Sequence, residues 1–434
     1  MSNIGTVKIG WMHLGNTEIA KAYLGSNLVY QKKGVEPVVD YSKEYLTLTA
    51  LGNSVTFSIV ANEQDPNIPL VSYSTDGGST WSTISPDTTA SKIATLNSGQ
   101  SVLLKGTQTG TSSTGYIKID ATGYYNASGN VMSLIFGDNF IGQTSLSGKD
   151  YAFLSLFHKS TNLKNVDNLV LPATTLATSC YQNMFRGTSI TSTPKLPAMT
   201  LADSCYRQMF SQCSSLTEVP TRLPASNAPN YCYNTMFGAC TSLKTAPDIS
   251  ATTVGAHCCE YMFYQCTSLE NIPSLLPATT LADSCYKQMF DRCSALTTIP
   301  STLLPATKLA HNCYKWMFEY CTSLNNIPST LLPATTLADN CYTSMFYGCT
   351  ALTEAPVLPA TTLVLQCYDS MFYGCTRLKY IKAMFTSIPS INFTNSWVKG
   401  VSSSGTFVKN SAATWDVTGV NGVPTGWTVQ TASS

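Results

Sequence analysis

Two rhythms of apolar residues run along this chain. Up to Phe136 apolar and polar residues alternate, as in Tyr45-Leu-Thr-Leu-Thr49, Ser54-Val-Thr-Phe-Ser-Ile-Val60, Ser101-Val-Leu-Leu-Lys105, Tyr116-Ile-Lys-Ile-Asp120 and Val131-Met-Ser-Leu-Ile-Phe136. A period of two puts the apolar residues on one face of a strand. Asp76-Gly-Gly78, between Val71-Ser-Tyr73 and Thr80-Trp81, is a strong hairpin signal. Residues 34–136 therefore predict an all-β immunoglobulin-like sandwich, one without cysteines and so without an inter-sheet disulfide.

From Leu171 the rhythm changes. A phrase of the form Leu-Pro-Ala-Thr-Thr-Leu-Ala-Asp-Ser-Cys-Tyr-x-x-Met-Phe-x-x-Cys-x-x-Leu-x-x-Ile-Pro recurs with its Met-Phe pair at Met184, Met209, Met236, Met262, Met289, Met317, Met345 and Met371, at intervals of 25 to 28 residues. Such a period predicts a stacked solenoid, in which a unit buries its apolar face only when a neighbour covers it. Within one repeat, Cys341 and Met345 are four apart, as are Tyr342 and Phe346. That spacing predicts two turns of helix with an apolar stripe. Asp339 stands at the expected N-cap and Gly348 at the left-handed end. Thr178, Asp203, Asn230 and Asp283 share the cap slot, whereas Ala256, His311 and Leu365 offer weaker caps. Leu332-Pro333 predicts an extended lead-in, and Leu352-x-x-Ala355-Pro356 a very short strand. The predicted fold is thus an α/β solenoid of one short strand and one short helix per repeat, spanning residues 171–391.

The flanks read differently. Leu14-Gly-Asn-Thr-Glu-Ile19 and Leu24-Gly-Ser-Asn-Leu-Val29 repeat one phrase at an offset of ten, predicting a small β-hairpin element over residues 1–33. So small an element needs something to dock on. Residues 137–170 echo the repeat spacing without its full phrase and predict an N-terminal cap. Residues 392–434, rich in Gly, Thr and Ser and carrying Trp397, Trp415 and Trp427, predict an irregular or β-rich C-terminal cap.

Composition narrows the functional classes. Charged residues make up only 11% of the 434, against roughly a quarter in ordinary soluble domains, so Ser and Thr supply the polar surface. A net charge of +1 gives no electrostatic reason to approach nucleic acid or anionic lipid. No apolar run approaches the roughly 20 residues that span a bilayer, so no membrane insertion is expected. The opening Met1–Gly10 has neither the basic nor the apolar region of a signal peptide, which predicts a chain left in the cytoplasm unless a larger structure carries it out.

All sixteen cysteines lie between Cys180 and Cys375, fourteen of them in pairs eight apart. On a helix that separation is about 12 Å of rise, too far for a disulfide. No Cys-x-x-Cys suggests zinc. The recurring cysteines predict small buried thiols, with cross-repeat bridges and metal as the alternatives.

Candidate chemistry is sparse. His13, His158, His257 and His311 are scattered; Gly400–Gly405 is one residue too long for a nucleophile elbow, and Gly142–Asp150 misses a phosphate loop. His257-Cys258 would need adjacent residues to face each other, with Cys258 in a core slot. No catalytic residue, metal ligand or cofactor is expected. The outward slots are Arg207-Gln208, Lys287-Gln288, Lys315-Trp316, Thr343-Ser344 and Asp369-Ser370. Trp316 stands out there as an exposed indole, and Tyr264, Tyr347 and Tyr373, each directly after a Met-Phe, form a second aromatic row. These four are the candidate ligand surface, with partial packing as the competing role.

The phrase Leu-Pro-Ala-Thr-Thr-Leu-Ala followed by Cys-Tyr-x-x-Met-Phe-x-x-Cys-Thr-Ser-Leu, from about Leu171 to Phe385, resembles BspA-like leucine-rich repeats of gut Bacteroides-type bacteria and their phages. The flanks Met132–Gly142, Trp397–Lys409 and Gly422–Thr428 are similar to those found in that setting. The resemblance implies a right-handed solenoid used in adhesion or recognition, with no enzymatic residues to carry over. The family's bacterial members are usually exported, and the opening residues depart from that, which shifts the expectation toward a virion protein. The expectation is a non-enzymatic phage structural or adhesion protein (fibre, tail or capsid decoration) bound to other virion proteins through residues 1–33 and facing a host surface glycan or protein. A bacterial cell-surface adhesin is the alternative, and a glycan-degrading fibre the third reading. Self-association is left open.

Overall fold

The computed structural model describes residues 39–62 and 70–432, and the backbone of four short strands within residues 13–31. The chain divides into two units, 1–41 and 42–434. In the first, β1 (His13–Leu14) pairs antiparallel with β2 (Thr17–Glu18), and β3 (Lys21–Leu24) with β4 (Asn27–Gln31). The expected glycine turns at Gly15 and Gly25 lie outside the described residues.

The second unit opens with two facing β-sheets. One runs β13-β12-β5-β10-β7-β8, with β14 also on β12; the other runs β11-β6-β9. These are β5 Leu46–Ala50, β6 Val55–Ala61, β7 Val71–Ser74, β8 Ser82–Ile84, β9 Ser91–Leu96, β10 Ser101–Gly106, β11 Ile117–Ala121, β12 Tyr125–Asn130, β13 Leu163–Asn165 and β14 Leu169–Val170. The period of two becomes burial directly: Leu46, Leu48, Val55, Phe57, Ile59, Val102, Leu104, Ile117 and Ile119 all point inward. Phe57 meets Tyr125 edge-on at 5.4 Å across the interior. At the β7–β8 turn Asp76 accepts from the Ser74 and Thr80 hydroxyls and the Thr80 amide, and these bonds hold its carboxyl well below the usual range.

The β-domain passes into the solenoid without a break. β12 pairs antiparallel with β5 on one side and parallel with β13 and β14 on the other. Its Gly129 has φ +79°, and a Cβ there would meet the Tyr45 carbonyl oxygen. Tyr125 Oη lies 2.8 Å from Ser160 Oγ, which donates to Asp120 at 2.9 Å, tying the first coil to the sheet.

The solenoid departs from expectation at its most repeated segment. The sole α-helix among the described residues is α1 (Ser133–Phe136), before the repeats. Where two-turn helices were expected, each coil instead forms a ribbon of overlapping turns. Alternate amides bond three residues back, as Gln182 does to Ser179 and Met184 to Tyr181. The amides between them reach the next coil: Ser179 to Asp203, Tyr181 to Cys205, Asn183 to Arg207 and Phe185 to Met209. Every fourth residue takes a left-handed φ, for example Ser204, Gln208 and Gln212, then Tyr231, Thr235 and Ala239. Such a residue in third position makes alternate turns of type II character. The physical reason lies in the pairs. Cys-Tyr and Met-Phe are adjacent residues that are both buried. On a helix neighbours diverge by about 100°, whereas the ribbon turns both inward. The apolar period is four, not 3.6.

The cap slots work differently too. Asp203 Oδ1 accepts from the Asn230 amide at 3.1 Å, and Asn230 Oδ1 from that of Ala256 at 2.8 Å, so they cap the following coil rather than their own. Gly348 is left-handed as expected (φ +71°), but in the ribbon. The ribbon begins before the repeats proper, since Tyr151, Ser155 and Lys159 have the same φ inside the expected cap. Two short parallel ladders complete each coil. One passes through Ser145, Thr175 and Thr200, and through Thr280, Lys308 and Thr336; the other links Ser192 to Glu218, Thr298 to Asn326 and Glu354 to Tyr380. Longer pairs occur between β15 (Arg222–Leu223) and β17 (Asp248–Ile249), and between β16 (Asn227–Ala228) and β18 (Thr253–Val254).

Inside the coils like stacks on like. Phe157, Phe185, Phe210, Phe237, Phe263, Phe290, Phe318, Phe346 and Phe372 form one column, with ring centroids 5.5 Å apart at Phe185–Phe210 and 5.8 Å at Phe346–Phe372. Tyr181, Tyr206 and Tyr233 form a second column, broken at Cys259 and resumed from Tyr286 to Tyr368. All sixteen cysteines are buried free thiols. They are more than small apolar fillers, because the second of each pair reaches back to a phenylalanine carbonyl of the preceding coil. Cys240 meets Phe210 O at 3.1 Å, Cys266 meets Phe237 O at 3.1 Å and Cys375 meets Phe346 O at 3.0 Å. In the coil before that of Cys213, Thr188 holds the slot, but its hydroxyl donates at 2.9 Å to Phe185 O of its own coil, the carbonyl that Cys213 reaches at 3.0 Å.

The far end closes on tryptophan. β19 (Tyr380–Ala383), β20 (Thr406–Lys409) and β21 (Thr428–Thr431) form a parallel sheet. Trp397 occupies the methionine slot, fully buried, and donates to Gly422 O at 3.0 Å. Trp415 and Trp427 donate to Phe385 O and Ser402 O.

A left-handed residue with a Cβ costs about 1–2 kcal/mol that glycine avoids. Ala239→Gly, at φ +60°, is expected to stabilise the full chain by about 0.5–1 kcal/mol after glycine's own entropic cost. Gly374→Ala, where space allows a Cβ but φ is +73°, is expected to destabilise it by about 1–2 kcal/mol. Thermal denaturation reads both. At Cys266, serine is expected to retain the bond to Phe237 O and alanine to lose it, making the alanine variant about 1 kcal/mol the less stable of the two.

Candidate ligand surface

Each ribbon buries its Cys-Tyr and Met-Phe pairs and turns the two residues between or after them outward. Four outward rows therefore climb the solenoid on one face. The residues before each methionine include Arg207-Gln208, Glu260-Tyr261, Lys287-Gln288 and Lys315-Trp316; those after each phenylalanine include Tyr264-Gln265, Asp291-Arg292, Glu319-Tyr320, Tyr347-Gly348 and Tyr373-Gly374. Not every such slot is open: Glu260 and Asp291 are buried, as are Thr343 and Ser344, expected outward, and Thr343 Oγ1 donates to Gln366 O at 2.7 Å.

The four aromatic candidates sort into three places. Tyr347 and Tyr373 stack at 4.6 Å, and Tyr320 meets Tyr347 edge-on at 5.4 Å. Tyr264 packs against Tyr261 at 5.6 Å. Trp316 stacks on neither group, and it is half-buried where an exposed indole was expected. Its ring lies 4.3 Å from Lys315 Nζ and 5.4 Å from Lys287 Nζ. Arg292 lies over Tyr320 at 4.6 Å, Lys399 over Tyr373 at 5.3 Å and Arg207 over Tyr231 at 5.6 Å, so cations and rings alternate along the face. Sequence reading missed Tyr261 and Tyr320, which occupy left-handed slots at φ +59° and +53°. The signal was present in Tyr320 standing between Phe318 and Cys321, one place after the row considered. Gly348 makes room for it, since a Cβ there would come within 2.6 Å of the Tyr320 ring.

The acidic residues of this face are engaged or buried. Glu260 accepts from Lys287 at 2.9 Å and from Asn234 at 3.3 Å, and meets His257 Nδ1 at 2.8 Å. Asp291 is 2% exposed and takes one bond from Gln288 at 3.0 Å. Burial pushes its carboxyl up to about 6. Burial, and then the neighbouring Asp291, push Glu319 up to about 7. Raised carboxyls invite a general-acid reading, but Asp291 does not reach solvent. Nor does His257 serve a thiol, because it turns to Glu260 and stacks on Tyr231 at 4.8 Å. Cys258 and Cys259, with sulfurs 3.4 Å apart, are buried, and burial raises the Cys258 thiol well above its usual range.

Elsewhere an open groove runs along the second ladder, lined by Asp167, Lys195, Glu218 and Arg222 among Pro194 and Pro220. Arg222 there pairs with Asp248 at 3.7 Å. Among the described residues no group of three or more His, Cys, Asp or Glu is placed to hold a metal, and no helix is long and apolar enough to cross a membrane.

Residues 154–258 and 257–379, together more than half of the chain, match the BspA type leucine-rich repeat region in six copies. The chain belongs to this family. The BspA-type match starts within the first ribbon, at Leu154, as the left-handed residues do. A solved leucine-rich repeat protein from Bacteroides ovatus ATCC 8483 is similar over 58% of this chain, with 16% identity and a TM-score of 0.36. The similarity spans 64% of that protein, less than two thirds of its length. No curated protein sequence matches the chain.

The raised carboxyls make a signed prediction. A carboxyl whose folded pKa exceeds its unfolded one stabilises the fold at low pH, and that contribution is lost as pH rises through the folded value. For Glu319 the loss begins above the ordinary value of 4.5 and is complete by about 7. Glu319→Gln is therefore expected to match the unaltered chain at pH 4 and to exceed its unfolding temperature at pH 8. His158, pushed down to about 4 by burial and then by Arg186, Lys159 and Lys118, acts in the opposite sense on the acid side. It is common to both chains and drops out of the difference.

Proposed function

We propose that this BspA-type repeat protein is a non-enzymatic recognition protein whose ribbon face meets a host-surface ligand. One observation carries the reading. Trp316, Tyr320 and Tyr373 lie half-buried on the outside of the solenoid with cations over them, and Tyr347 stacks on Tyr373, while the rings that hold the coils together are buried in separate columns. The inner columns therefore do not account for the outer rings, and partly accessible aromatic and cationic groups are the usual anchors of binding surfaces.

In this proposal the protein is a phage virion component, a fibre or a tail or capsid decoration. The two-sheet domain is an immunoglobulin-like spacer, and residues 1–33 bind other virion proteins. The resemblance of the repeats and both flanks to phage and Bacteroides-type sequences supports that carrier. Family membership favours a second carrier, the bacterial cell surface, with the same face used for adhesion. Mass spectrometry separates the two: the chain is expected in purified phage particles, and recovery only from a bacterial envelope fraction would reverse the assignment.

Recognition is tested by adsorption of labelled full chain to Bacteroides-type cells. Changing Tyr347 and Tyr373 together to serine is expected to reduce adsorption on the order of tenfold or more, as for aromatic anchors elsewhere. Glu218→Gln with Arg222→Gln, in the other groove, is expected to leave it unchanged. The reverse pattern would move the site to the groove.

A further inference from the structure

The ribbon face carries an electrostatic imbalance that the fold itself leaves unresolved. Lys287 is satisfied by Glu260 at 2.9 Å. Lys315, one coil further on, is half-buried over the Trp316 ring and forms no ion pair among the described residues. Burial, and then repulsion from Lys287, lower its pKa, and attraction to Asp369 offsets only part of that. A half-buried ammonium beside a second cation is stabilised by any anion that reaches both. Further along the same face stand Arg292 over Tyr320 and Lys399 over Tyr373, with the Tyr347–Tyr373 stack between them. Arg292 Nε lies 3.8 Å from the buried Asp291, whereas Glu319, its carboxyl pushed up to about 7, carries less than full negative charge at neutral pH.

Resting on the recognition role proposed above, we infer that the ligand of this face is an acidic polysaccharide. One of its carboxylates sits at Lys315 beside Trp316, and the polymer runs along Arg292, Tyr320, Tyr347, Tyr373 and Lys399. Three features select this class. The cations are sparse and separated by phenol hydroxyls, which suits a polymer of many hydroxyls and widely spaced carboxylates. Single-stranded nucleic acid needs open ring faces for its bases. Here Tyr347 and Tyr373 close on one another at 4.6 Å and an ammonium lies over Trp316. An acidic peptide would be held by a free backbone edge or by apolar pockets. The ribbon amides are spent on their own turns or on the next coil, as with Trp316 to Thr343 and Tyr320 to Tyr347.

The test measures binding of the full chain to polygalacturonate, fully methyl-esterified polygalacturonate, α2,8-linked polysialic acid, polyglutamate and oligo-dT at fixed salt. Binding to polygalacturonate or polysialic acid is expected, and which of the two binds distinguishes a uronic from a sialic source. The methyl ester is expected to bind more weakly than polygalacturonate if the uronic polymer is the ligand. Lys315→Gln is expected to weaken the acidic polymer on the order of tenfold, the loss of one charge-assisted bond, with an unchanged unfolding temperature. The proposal is overturned if neither acidic polysaccharide binds, if polyglutamate or oligo-dT binds as tightly, or if Lys315→Gln leaves the affinity unaltered. Adsorption to cells through Tyr347 and Tyr373 without polysaccharide binding would sink the ligand class alone, whereas loss of both would sink the recognition role as well.

Discussion

The hydrogen bond from every second ribbon amide to the carbonyl of the next coil is the interaction on which this molecule depends. A helix satisfies its own backbone and can stand, at least marginally, without neighbours. The ribbon cannot. Half of its amides, such as those of Phe210, Phe237 and Phe263, have partners only in the adjacent coil. Leaving a buried amide unpaired costs about 1–3 kcal/mol, so one coil removed exposes a whole row of unmet donors. The left-handed residues are the strain accepted in return, and non-glycine side chains such as Trp316 and Tyr261 remain there because the bonds on both sides hold them.

The side chains follow from that backbone. Direct amide-to-carbonyl bonding between coils sets a fixed spacing, and equal side chains at equal positions then fall into register. Flat rings exploit this best, as the phenylalanine column shows from Phe157 to Phe372. The thiol column has a different logic. A cysteine is small enough for the core and can still donate to a phenylalanine carbonyl, as Cys293 does to Phe263 O and Cys321 to Phe290 O. Thr188, in the same slot, donates instead to the phenylalanine carbonyl of its own coil. Because the interior is spent on cohesion, variation is confined to the outward rows, where the aromatic and cationic residues collect.

Much of this was legible before any coordinates. The period of the Met-Phe pairs implied coils, family membership follows from the repeat phrase, and the alternation in Leu46–Ala50 and Val55–Ala61 implied strands. The helix was the wrong inference, and the reason is specific. Cys341 to Met345 and Tyr342 to Phe346 satisfy a four-residue spacing that both an amphipathic helix and a four-residue ribbon produce. The discriminating feature was that adjacent residues are apolar together in each pair. Thr343-Ser344 reads as outward on either backbone, yet both are buried, with Thr343 donating to Gln366 O. At the surface, the rows were legible but their pairing was not. The stacking of Tyr347 on Tyr373 and the separation of Trp316 from both depend on coil register, which no single repeat encodes.

Far-ultraviolet circular dichroism of the full chain tests the central claim most directly, because ribbon and helix differ in backbone rather than in side-chain position. A spectrum of β-structure and turns, without the double minimum of the α-helix, is the result this account predicts. A clear helical double minimum, of the size that two turns in every repeat would produce, would contradict it.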